Sequence, residues 1–206
     1  MKHMVLKFVL LFFLMSFFSC SEKKEEEIPH YLRKDNFTVL RVIIKNSKNQ
    51  ILMVGAKDWW GMPYVNLSKR QFLKEAIDSM ALEHGILLKD IELRGQFSFK
   101  YDYKPNMTFR NYYLAQYKSG TLKVPKKTLE DEFEKIEWVT IPEAIERNNN
   151  TGIKEITRQI LNHPEVVWGG SFMVSHTKND HPTTMVEDFY PLFKKTTIDS
   201  NMPKVH

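Results

Sequence analysis

The stretch GMPYVNLSKRQFLKEAIDSMALEHGIL, residues 61–87, carries carboxylates at Glu75, Asp78 and Glu83 inside what reads as one amphipathic helix. A rotation of about 100° per residue sorts it into faces. Leu73, Ala76, Ile77, Met80 and Ala81 form a core stripe; Glu75, Asp78, Ser79 and Leu82 lie opposite, with Glu83 on the flank. Acids spaced by a helical turn supply the oxygens that a hard divalent cation needs beside phosphate, whereas one carboxylate alone binds magnesium poorly. Leu82 breaks the polar face and suits a binding surface better than a metal cage.

Other residue types widen the choice. Trp59 and Trp60, in the loop before the helix, offer faces for stacking on a base or an apolar ligand, or close the end of the core. Arg41, Tyr101, Arg110 and Tyr112 sit on probable strands that could line a pocket beneath the helix; alternation alone does not fix the face each one takes. The histidines outside the first 20 residues are dispersed, and HTKNDH lacks the rigid helical spacing of a metal pair. No nucleophile elbow or glycine-rich phosphate loop is present, and Cys20 is the sole cysteine, which excludes an intramolecular disulfide.

The elements that must position these groups follow from the pattern. FTVLRVIIKN and QILMVGA flank the turn NSKN and read as a strand hairpin. The helix is expected to start at Ser68, with Gln71 completing a capping box, and to end near His84 with Gly85 as its stop. IELRGQFSFKYDY and TFRNYYLAQYK form a second hairpin through KPNM; FEKIEWVTI is a strand, and Pro142 opens a short helix. GIKEITRQILNH has helical apolar spacing, and EVVWGGSFMVSH suits one more strand with a bulge or tight bend at its glycines. Beyond Asn179 only a helical turn around VEDFYPLFKK is expected. One crossover helix followed by antiparallel hairpins argues for an α/β (α+β) fold, a mixed sheet sandwiched between helices.

Those landmarks in order resemble the Nudix superfamily over Phe37–Leu161: the opening hairpin, WGMP at Trp60–Pro63, the helix ending in EHGI, and EWVTIPEAIE. The resemblance implies a mixed sheet flanked by helices, and hydrolysis of diphosphates linked to another group by magnesium or manganese held on helix carboxylates. Anchored on Gly85, the family's signature can be read through this chain. Its first glycine falls on Tyr64 and its first glutamate on Arg70; its arginine–glutamate pair falls on Asp78 and Ser79, and its glutamate pair on Leu82 and Glu83. The structural positions are kept, whereas of the catalytic acids only Glu83 remains. A rearranged set of Glu75, Asp78 and Glu83 is the route by which a metal could still be held, with Glu130, Asp131, Glu132 and Glu134 in a region where some members keep an extra glutamate.

The chain has 206 residues, 42% hydrophobic and 27% charged, with a formal net charge of +5. That is room for one domain with a real core, and the mixed charges give nucleic-acid binding no support. MKHMVLKFVLLFFLMSFFSC has a basic start and an apolar stretch shorter than the roughly 20 residues of a membrane span. With Cys20 at its end it resembles a bacterial lipoprotein signal in which that cysteine is lipidated; an uncleaved apolar anchor is the other reading, and either tethers the chain to a membrane. The charged residues 21–36 read as a spacer, resembling the surface-export signals of some Gram-negative lipoproteins. The chain thus divides into residues 1–20 (signal and lipidation at Cys20), 21–36 (spacer), 37–162 (Nudix-like domain) and 163–206 (C-terminal extension).

Three functions fit. One is an exported Nudix-like domain in the cell envelope, without catalysis or a cofactor, that binds a small molecule or a protein. A second is a divergent pyrophosphohydrolase acting on nucleoside-diphosphate-linked compounds with magnesium or manganese, in which Glu83 survives as the catalytic ligand. The third is an interaction module whose C-terminal tail makes the contact.

Overall fold

Alternation along FTVLRVIIK divides the molecule into two layers. Leu40, Val42 and Ile44 point to one side of β1 (Phe37–Lys45), and Arg41 and Ile43 to the other; all five are buried. Both faces are covered, so the strand reads as a nearly continuous apolar run. The computed structural model describes residues 37–57, 59–67, 72–125, 133–176 and 182–194, all within one compact unit, Asp35–His206. Residues 1–20, with Cys20, and 21–36, expected as signal and spacer, and Glu130–Glu132 lie outside the described residues.

After β1 come β2 (Gln50–Ala56), β3 (Trp59–Gly61), β4 (Tyr64–Leu67), α1 (Leu73–Glu83), β5 (Ile86–Tyr101) and β6 (Lys104–Gly120). Then follow β7 (Lys135–Thr140), α2 (Ile141–Arg147), α3 (Thr151–Asn162), β8 (Val166–Val174) and β9 (Thr183–Lys194). The strands form one mixed sheet in the order β3-β2-β1-β6-β5-β8-β9, with β4 paired to β1 and β7 to β2. The β1–β6 and β5–β8 pairs are parallel and the others antiparallel, as a mixed α+β sandwich requires.

One face buries α1: Ala76, Ile77, Met80 and Ala81 pack on Leu40, Val42, Ile44, Leu52 and Ala115. The opposite face buries α2 and α3: Ala144, Ile153, Ile156 and Ile160 pack on Ile43, Met53, Phe97, Phe99, Tyr112 and Phe172. Each fully buried aliphatic or aromatic side chain contributes roughly 1.5–3 kcal/mol. Phe99 and Phe172 stack at 4.9 Å across β5 and β8, so the strand after residue 163 belongs to the same core. The segment set apart as an extension therefore supplies β8 and β9 to the sheet.

Helix ends explain their own positions. Thr140 Oγ1 caps α2 at Glu143 N (3.4 Å), and Asn150 Oδ1 caps α3 at Ile153 N (3.1 Å). α1 begins at Leu73, later than expected, because Phe72 is extended (φ −74°, ψ 150°); Ser68–Gln71 lie outside the described residues. Phe72 N donates instead to the Glu75 carboxylate (3.3 Å). Leu73, expected in the core stripe, is exposed in the first turn. Gly85 ends the helix with φ +78°, as expected.

Two further expectations change. The β5–β6 turn is Asp102–Tyr103, and KPNM lies inside β6. Pro105 is tolerated there because β1 pairs with β6 only from Thr108 onward. VEDFYPLFK is strand, not a helical turn: β9 pairs along β8, with register shifts beside Gly169. An added Cβ at Gly169 would meet the Tyr190 ring at 2.5 Å, so the expected bulge is where this ring crosses the backbone.

Candidate ligand site

The outer face of α1 is where metal-assisted chemistry would have to be built. Leu82 is 60% exposed there, Glu83 is exposed beside it, and Ser79 is half-buried. Asp78 is paired to Lys74 (2.5 Å), and Glu75 accepts from the Phe72 amide. Glu134 accepts from Lys57 N (3.1 Å) at the β2–β7 end. Each of these acids except Glu83 has local work of its own. Among the described residues no three His, Cys, Asp or Glu side chains gather closely enough to hold a cation. One carboxylate, one hydroxyl and a leucine do not fit magnesium or manganese, which ask for several oxygens in a fixed shell.

Beside α1 lies a groove of about 390 Å³ lined by Leu73, Ile77, Leu88, Ile91 and Tyr113, with Lys74, Asp78, Lys89 and Asp90 among its polar residues. Of the candidate site residues expected from the sequence, it takes in Asp78 alone.

The aromatic pair separates. In β3, Trp60 packs against the α2/α3 core and lies under two cations, Arg147 (5.0 Å) and Lys135 (5.7 Å), while its amide donates to Asn149 Oδ1 (3.2 Å). Arg147 also grips Glu137 and Glu143, so this is a structural clamp. Trp59 joins a second cluster, edge-on to Tyr64 at 6.3 Å and tilted against Phe133 at 6.1 Å. Phe133 also reaches Tyr64 (6.1 Å) and His84 (6.2 Å). Phe133 and His84 were not among the expected site residues. Only the chain's return beside β2, more than 60 residues on, brings Phe133 to this loop.

Arg41, Tyr112 and Arg110 do come together, but away from α1 rather than beneath it. The reason is parity: Leu40, Val42 and Ile44 take the α1 side, leaving Arg41 and Ile43 for the other. The parallel register places Arg41 opposite Tyr112, with Arg110 two residues earlier on the same face of β6. Arg41 is buried, donates from Nη1 to Met62 O (3.2 Å) and lies 5.1 Å from the centre of the Tyr64 ring. Arg110 lies 3.7 Å over Phe99. Burial lowers the Arg41 pKa, with Arg110 adding to the fall, and raises the Tyr112 hydroxyl against the pull of both guanidiniums. Tyr112 therefore stays a protonated donor. Tyr101 sits at the far end of β5, its hydroxyl 3.0 Å from Thr108 Oγ1.

No protein-family model matches this chain, and no curated protein does. Solved structures do. The chain is similar to a MutT protein from Bacillus halodurans, with 20% identity and a TM-score of 0.59, over 73% of this chain and 97% of that one. It is similar to a MutT protein from Methanosarcina mazei Go1 (14% identity, TM-score 0.51, 65% and 99% covered). A Nudix hydrolase from Nitrosomonas europaea gives 14% identity and a TM-score of 0.50, with 62% and 90% covered. At these identities the likeness is one of fold: a Nudix-like mixed sheet between helices.

Proposed function

We propose that this chain is an exported, membrane-anchored domain of Nudix fold that binds a ligand or protein partner without hydrolysing it. The observation that carries the reading is the outer face of α1. Exposed Leu82 and half-buried Ser79 stand where the resemblance asks for acids, and neighbouring Asp78 and Glu75 are engaged with Lys74 and the Phe72 amide. The apolar N-terminal segment ending at Cys20, followed by a charged spacer, supports a lipid or apolar anchor in a bacterial envelope. Nucleoside diphosphate compounds are mostly cytosolic, so a domain outside the cytoplasm has little use for their hydrolysis.

Glu83 favours the rival reading, a divergent pyrophosphohydrolase, because it stays exposed in the last turn of α1. Calorimetric titration with Mn²⁺ separates the two. The binding reading expects no saturable uptake by the wild type, and uptake in the double variant Ser79→Glu/Leu82→Glu, which restores a three-acid face. Tight wild-type binding that disappears in Glu83→Gln would overturn it.

A further inference from the structure

We propose that the sheet face carrying Arg41, Tyr112 and Arg110 binds the oxyanion of a ligand, a phosphate or a carboxylate, between its two guanidiniums. This rests on the ligand-binding reading above and names the chemistry of the ligand.

Three donors converge there. Arg41 is 6% exposed, and its Nη1 is spent on Met62 O, but its Nε has no hydrogen-bond partner. The Tyr112 hydroxyl, fully buried, has only the two guanidiniums as hydrogen-bonding neighbours, and Arg110 Nε has no partner. Among the described residues neither arginine forms an ion pair. The Tyr64 and Phe99 rings give each guanidinium a π face, which leaves each Nε–H unsatisfied. A buried cation without a counter-charge is costly, and two close together cost more. An oxyanion removes both costs at once, since guanidinium forks match the geometry of phosphate and carboxylate.

The position explains why no metal is required. The cluster lies on the face opposite α1, so the charge of the ligand is met by arginine and not by a cation held on helix carboxylates. Arg110 is only partly buried and gives the approach. Trp59, Tyr64 and Phe133, beside Arg41, supply an aromatic wall for the body of the ligand.

The test is thermal unfolding and calorimetry of the full chain in detergent micelles, without divalent metal, against inorganic phosphate, pyrophosphate and malonate. At least one should raise Tm in a concentration-dependent way. Arg41→Met and Arg110→Met should each weaken that binding at least tenfold. Lys89→Met, on the α1 side of the sheet, should not. Without anion, Arg41→Met should unfold no lower than the wild type, because it removes an unpaired buried charge. Preference for phosphate over malonate, or the reverse, identifies the source of the oxyanion. No response to any of the three anions, or equal responses from wild type and arginine variants, would overturn the site and leave the non-hydrolytic reading intact. Cleavage of pyrophosphate on adding Mg²⁺ would contradict that reading and leave the anion site standing.

Discussion

Lys74 holds Asp78 across one turn of α1, Nζ to Oδ2 at 2.5 Å. The pair is exposed and contributes no more than about 0.5 kcal/mol. Its meaning lies in what it engages, since Asp78 is, with Glu75, one of the two other acids of α1 that could join Glu83. Lys74→Ala frees the carboxylate. We expect a Tm within about a degree or two of wild type and no gain of Mn²⁺ binding, because Leu82 still interrupts the face. Calorimetry that found new uptake in this single variant would contradict the account.

Gly85 fixes the exit of α1. At φ +78° an added Cβ would lie 2.2 Å from the Thr121 carbonyl, in a junction where Thr121 N donates to Gly85 O and Lys123 N to His84 O. Gly85→Ala should cost more than about 2 kcal/mol, through left-handed strain plus a clash with backbone. Urea denaturation checks this. A loss below about 0.5 kcal/mol, ordinary for a surface change, would refute it.

His84 makes stability depend on pH. It is 2% exposed, with Nδ1 2.7 Å from Met80 O and an unpartnered Nε2. Burial pushes its pKa down, against the Met80 bond and the nearby Glu83 carboxylate, which pull it up. The unfolded chain therefore takes up the proton first. Stability is complete above the unfolded value of about 6.5 and is lost as pH falls from there through the folded value. Tm measured from pH 8 to 5 should drop on the acid side, and His84→Asn should flatten that drop. Equal acid slopes in both proteins would rule the histidine out.

The layers were legible because both faces of β1 and β2 are buried and α1 has a clean stripe. What the pattern did not carry was the face that each strand side chain takes. Arg41 could be read as lining a pocket beneath the helix because alternation gives two sets and no label, and only the partners of Leu40 and Val42 decide. β9 was missed for a different reason. Its core contacts, Met185 and Phe189, are four residues apart through the register shifts, which imitates a helix, while Val186, Leu192 and Phe193 stay exposed. The Trp59–Tyr64–Phe133–His84 cluster is assembled from segments far apart in the chain, and no local signal announces it.

The central claim is that the chain keeps a Nudix fold and not its hydrolysis. The most direct measurement is release of product from a panel of nucleotide-linked diphosphates by the purified chain with magnesium or manganese, run beside Glu83→Gln. We expect the two proteins to be indistinguishable from buffer. Turnover by the wild type that disappears in Glu83→Gln would contradict the account and make this domain a divergent hydrolase.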